Sequence, residues 1–153
     1  EKSKAELQAK SVQQIISFAG NGSLTDESAT SKEFRVFLKG ISTDLLQKYA
    51  DQCLNESFSG SGLVLQDIVN QIGQRLGFEV QYGRYRGVSG QIGYDGLWKL
   101  PNGHTIVIEV KTTDAYRMDL NKLADYRKKL IKQETISEKK SSVSIVVPRS
   151  IHY

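Results

Sequence analysis

The chain has 153 residues, with 21 Lys and Arg against 17 Asp and Glu, a formal charge of +4 and a pI near 9.1. That is one domain's worth of sequence, enough to bury a substantial core, and 39% hydrophobic with 25% charged residues is the balance of an ordinary soluble globular protein. Its longest apolar runs are too short to span a bilayer, no signal-peptide pattern opens it, and the single cysteine, Cys53, excludes an internal disulfide. The expected setting is therefore cytoplasmic and away from membranes, and the positive charge suits a polyanionic partner. A start at Glu1 rather than Met suggests a processed product or a piece of a larger protein.

From Lys4 to Phe18, Leu7, Val12, Ile15, Ile16 and Phe18 recur as on one helix, which Gly20 and Gly22 end. Thr30-Ser-Lys-Glu33 has the pattern of a capping box, opening a helix with Phe34, Phe37, Leu38 and Ile41 on its apolar face. Thr43 can cap the next helix, along which Leu45, Leu46, Tyr49, Ala50, Cys53 and Leu54 recur at helical intervals, placing Cys53 in a core. Residues 1–57 thus form a helical N-terminal subdomain. The Ser/Gly-rich residues 58–62 form a linker to a second region, 63–153.

That region begins with an amphipathic helix carrying Leu63, Val64, Ile68, Ile72 and Leu76, closed by Gly77 and followed by a strand from Phe78 to Tyr82. The glycine-rich loop from Gly83 to Gly93 carries Arg84, Tyr85 and Arg86. Two forked cations and a ring that can stack or hydrogen-bond suit a phosphate backbone, and a solvated loop is the competing reading.

Next comes a hairpin. A two-residue Asn-Gly turn would put Pro101 at the closing pair, where an N–H is needed, so a three-residue loop fits better, with Gly103 in the left-handed position. Leu100 then faces His104, Leu97 faces Val107 and Asp95 faces Glu109. Alternation puts Asp95, Leu97, Lys99, Val107, Glu109 and Lys111 on one face, and Tyr94, Gly96, Trp98, Ile106, Ile108 and Val110 on the other, which is expected to be the core face. Opposed carboxylates repel at such range, and Mg²⁺ is the simplest ion to hold between Asp95 and Glu109, with Lys111 beside it to neutralise phosphate charge or position water. A solvated Glu–Lys pair on an exposed face is the competing reading.

Asp119 opens a last helix to about Gln133, with Leu120, Leu123, Tyr126, Leu130 and Ile131 on its apolar side and Arg127, Lys128, Lys129 and Lys132 forming a basic patch. Val143 to Val147 is the apolar run of a buried strand, ended by Pro148. His104 and His152 cannot make a zinc site with one cysteine, and nothing in the sequence pairs His104 with a nucleophile.

Asp95 with Glu109-Val110-Lys111 resembles the acidic residue and E-x-K element of the PD-(D/E)xK nuclease superfamily. The likeness covers roughly Leu63 to Val147 and includes Gly77-Phe78-Glu79-Val80, similar to the Gly-Phe-x-Val strand of archaeal Holliday-junction resolvases and Mrr-type restriction endonucleases. The resemblance implies an α/β fold of restriction-endonuclease type, with a mixed sheet of about four strands flanked by helices and preceded by the helical subdomain. It also implies a Mg²⁺-dependent endodeoxyribonuclease, Mn²⁺ substituting, acting on double-stranded DNA. Asp95, Glu109 and Lys111 would be catalytic, and Asp95, Glu109 and the Val110 carbonyl would hold the metal.

Arg84, Arg86 and Lys122 would contact nucleic acid; Lys122 stands four residues before Tyr126, where several such nucleases carry glutamine. Tyr94 replaces the family's proline, and Gln66, next to Asp67, stands where many relatives carry a glutamate, which favours one tightly held metal over two. Restriction or phage defence within a larger protein is the implied role, with further domains, subunits or a homodimer as partners. A module that binds DNA or a protein without turnover is the alternative.

Overall fold

A computed structural model describes residues 3–56, 58–112 and 119–148 of the chain; Ser57 and His152 lie outside them. Two compact units divide at the Gln71/Ile72 bond.

The first unit is helical. One helix was expected from Lys4 to Phe18, but there are two, α1 (Lys4–Gln8) and α2 (Val12–Phe18). The break lies at Ser11, whose side chain accepts from Gln14 N–H while the Gln14 side chain accepts from Ser11 N–H, a capping box inside the apolar pattern. Helix α3 (Ala29–Gly40) is capped by Ser28 rather than Thr30, and α4 (Thr43–Asn55) by Ser42 rather than Thr43. Thr30 is instead buried within α3 and donates to the Ala19 carbonyl at 3.0 Å, while Glu33 accepts from Gly20 N–H at 2.9 Å. The pair that imitated a local cap is spent on a contact ten or more residues away. Val12, Ile15, Phe34, Leu38, Leu46, Tyr49 and Cys53 are buried, and burial pushes the Cys53 thiol up to about 12, leaving it protonated and inert.

Helix α5 (Ser61–Arg75) takes in the last two residues of the expected linker and runs across the division. The amphipathic pattern expected there is corrected: every residue from Val64 to Gln71 is buried, polar Gln66, Asp67, Asn70 and Gln71 among them, while Ile72 and Leu76 are exposed. A fully buried carboxylate needs a partner; Arg35 supplies it, its Nε and Nη2 lying 3.2 Å from the Asp67 oxygens.

Gly77, at φ 89°, ends α5 in a Schellman arrangement in which Phe78 N–H donates to Gly73 O and Gly77 N–H to Gln74 O. The second unit continues with β1 (Glu79–Tyr82), β2 (Gly96–Lys99), β3 (Thr105–Val110), α6 (Leu120–Lys132) and β4 (Ser141–Val146). These strands form a mixed four-stranded sheet in the order β1-β2-β3-β4, antiparallel except for the parallel pair β3 and β4. A parallel return needs a crossover, and α6 lies in that connection. The fold class is therefore α/β: six α-helices among the described residues and one open sheet. β4 is an edge strand, half-buried along its whole length rather than the buried strand its apolar run suggested.

The hairpin register is Leu97 to Val107 and Trp98 to Ile106, closed by Leu100 N–H to His104 O, with Gly103 at φ 81°. One expectation about its faces is corrected: both are buried. Leu97 and Val107, on the face that carries Glu109, join Leu130 of α6 and Ile136 in a core cluster with Ile92, Tyr94, Ile131 and Val143 around it. Tyr94 lies on this side because it precedes β2, where strand alternation does not apply; its hydroxyl accepts from Gln81 Nε2 at 2.9 Å.

Candidate active site

The ladder between β2 and β3 ends at Gly96 and Ile108, one pair short of the expected Asp95–Glu109 pair. Asp95 stays on β3 by other means: its N–H donates to Ile108 O at 3.0 Å, and its carboxylate accepts Val110 N–H at 2.6 Å. What holds Asp95 from behind is Gly83, whose N–H donates to Asp95 O at 2.9 Å. A Cβ on Gly83 would stand 2.0 Å from the Tyr94 carbonyl oxygen and 2.7 Å from Asp95 Cα, so only glycine permits this approach.

On β3, Glu109 is 5% exposed. Its Oε1 pairs with the Lys111 ammonium, while its Oε2 is buried without a hydrogen-bond partner among the described residues. A solvated surface pair does not have this form, and a buried orphan oxygen carries a desolvation cost of about 1–3 kcal/mol or more. Burial pushes the Asp95 carboxyl up to about 6; the Val110 N–H opposes this, the Glu109 charge adds to it, and Lys111 and Lys122 oppose it. Burial works against the Lys111 ammonium, yet the Glu109 ion pair, with the charges of Asp95 and Tyr126, outweighs it and raises its pKa. Asp95, Glu109, Lys111, Lys122 and Tyr126 thus act on one another as a single electrostatic cluster, which the fold assembles from the loop before β2, from β3 and from α6.

Tyr126 and Lys122 lie four residues apart on α6, with Lys122 Nζ 5.8 Å from the Tyr126 ring centroid. Arg84 and Arg86 are exposed on the loop after β1, but Tyr85 between them is buried at 7% exposure. The expectation that Tyr85 offers its ring to stack or hydrogen-bond on a phosphate backbone is therefore corrected: its ring is inside, while the arginines on either side of it are exposed. His104 does acquire a hydroxyl partner, Ser142 Oγ at 3.0 Å from Nε2, through the parallel pairing of β3 with β4. This pair lies at the opposite end of β3 from Glu109.

No family model, no curated protein and no solved structure matches this chain. The site must be judged on its chemistry. Among the described residues no three His, Cys, Asp or Glu side chains gather as metal ligands. Among those residues the site offers two carboxylates, and Mg²⁺ takes one or two carboxylates with water and phosphate oxygens. The orphan Glu109 oxygen fits such an ion. Among the described residues no helix is long and apolar enough to cross a membrane.

Proposed function

We propose that this chain is a metal-dependent DNA endonuclease of PD-(D/E)xK type, with a restriction-endonuclease-like fold, acting on double-stranded DNA as part of a restriction or phage-defence protein. The observation that carries the reading is Glu109 Oε2, a buried carboxylate oxygen that has no hydrogen-bond partner among the described residues and lies beside a second carboxylate. Asp95, Glu109 and the Val110 carbonyl would hold Mg²⁺, which when bound would supply an acidified water and charge stabilisation.

The remaining duties fall to the chain. Hydrolysis forms a bond from water oxygen to phosphorus and breaks one ester P–O bond; the leaving oxygen ends protonated as the alcohol, and the water's other proton goes to solvent. Lys111 pairs with Glu109 and would place positive charge beside the phosphate. Val110 N–H fixes the Asp95 carboxylate, and Arg84 and Arg86 would grip the backbone.

Purified protein is expected to nick or cut duplex DNA with Mg²⁺ or Mn²⁺, and Asp95→Ala or Lys111→Ala to abolish it while circular dichroism stays native. Cleavage surviving both substitutions would sink the reading. Gln66, where a third acidic group was expected, favours a second reading, a module that binds DNA or a protein partner without turnover. The neighbouring Asp67 is already held by Arg35. Tight, salt-sensitive DNA binding without metal-dependent cleavage would select it.

A further inference from the structure

From the placement of α6 over the sheet we infer that Lys122, held against Tyr126, is a catalytic cation that contacts a non-bridging oxygen of the scissile phosphate, rather than one more contact along the DNA backbone. The inference rests on the hydrolase reading above and assigns within it the charge that a second metal would otherwise bring.

The geometry begins at Leu130, which packs with Val107 and Leu97. Residues four apart on a helix share a face, so Leu130, Tyr126 and Lys122 form one row; residues two apart on a strand do likewise, so Val107, Glu109 and Lys111 form another. Because β3 and β4 are parallel, the connecting helix runs back along the sheet, and a step toward the N-terminus of α6 is a step toward the C-terminal end of β3. Leu130 to Lys122 is about 12 Å along the helix axis, and Val107 to Lys111 about 13 Å along the strand. Lys122 therefore reaches the level of Lys111.

A close approach and a charge effect agree with that placement. A Cβ on Gly93, two residues before Asp95, would lie 3.4 Å from the Tyr126 hydroxyl, and the Lys122 charge acts on Asp95.

The two lysines then differ in availability. Lys111 Nζ is bound to Glu109 Oε1, whereas Lys122 is exposed and, among the described residues, in an ion pair with no carboxylate. The Tyr126 ring restrains it by a cation–π contact that takes up no hydrogen-bond donor. Two carboxylates, one metal and the Glu109-bound Lys111 leave the added charge of a pentavalent phosphorus incompletely balanced. Among the described residues, Lys122 is the cation positioned to meet it.

The test compares the wild type with Lys122→Met, Lys122→Arg and Lys129→Met, the last a cation seven residues further along α6. Lys122→Met is expected to lower kcat on duplex DNA about 100-fold with KM nearly unchanged, and Lys122→Arg to restore part of it. Lys129→Met should raise KM and leave kcat alone. A readout without turnover uses inorganic phosphate, titrated calorimetrically into metal-free protein: Lys122→Met should weaken it about ten-fold and Lys129→Met should not. An active wild type whose Lys122→Met variant loses only KM, or whose Lys122 and Lys129 variants behave alike in either assay, overturns the assignment while leaving the hydrolase intact. A wild type with no Asp95-dependent cleavage removes both.

Discussion

Asp95 is a carboxyl whose ordinary value lies near 3.8 and which burial raises to about 6 in the folded chain. Between those two values the native state holds a proton that the unfolded state has released, so stability falls as pH rises from about 4 through about 6 and is level beyond. An ionised Asp95 therefore costs stability at neutral pH, by no more than ~3 kcal/mol. Asparagine keeps the oxygen that accepts Val110 N–H and carries no charge. Metal-free Asp95→Asn is expected to melt above the wild type at pH 7–8, with the gain shrinking toward pH 4 and removed by saturating Mg²⁺, which would stabilise only the carboxylate form. Thermal melts across that range with and without metal check it.

Gly83 gives a second prediction at this scale. The atoms its Cβ would strike are backbone, and backbone cannot swing aside as a side chain can. Gly83→Ala should cost about 1–3 kcal/mol in urea denaturation and speed hydrogen exchange at the Val110 amide, as Asp95 is pushed off it. An unchanged Val110 amide would show that Asp95 does not depend on this approach.

Among the elements, Gly73 lies within α5, where alanine ordinarily stabilises by about 1 kcal/mol. Here a Cβ would stand 2.5 Å from the Trp98 ring, so the sign is expected to reverse, with Gly73→Ala destabilising by about 1–3 kcal/mol and shifting the emission of the only tryptophan. Gly40→Ala, at the end of α3 where an added Cβ would meet nothing within 4 Å among the described residues, is the neutral comparison. Asp119 accepts from Asn121 and Lys122 N–H, and its loss should cost about 1 kcal/mol and loosen the end of α6 that bears Lys122, read as faster amide exchange there.

What was legible at this scale was local. Proline, asparagine and glycine dictate the hairpin turn within three residues, and Asp119 and Gly77 mark helix ends through their own backbone chemistry. What was hidden depended on distant partners. Thr30 and Glu33 have the spacing of a cap but serve Ala19 and Gly20, and α5 reads as amphipathic until Arg35 is seen to satisfy Asp67. The E-x-K strand announced Glu109 and Lys111, but not that one Glu109 oxygen would be buried without a hydrogen-bond partner among the described residues, nor that Tyr126 would approach Gly93 from α6.

Charge is divided unevenly over the whole molecule. Residues 1–71 hold seven Lys and Arg against nine Asp and Glu, a net of −2, and residues 72–153 hold fourteen against eight, a net of +6. A polyanion should therefore be gripped by the second unit, chiefly along the outer face of α6, where Lys128, Lys129 and Lys132 do not share the buried face of Leu123 and Leu130. Each phosphate a lysine neutralises releases counterions, and log K falls with log salt at about −0.9 per contact on duplex DNA. Replacing all three lysines with alanine should flatten that slope by about two to three contacts between about 50 and 200 mM salt, whereas alanine at the exposed Lys39 and Lys48 of the first unit should leave it unchanged. Anisotropy of a short labelled duplex, recorded without metal so that nothing is cut, measures both slopes. Equal flattening by the two sets would mean that overall charge, not a face of the second unit, attracts the DNA.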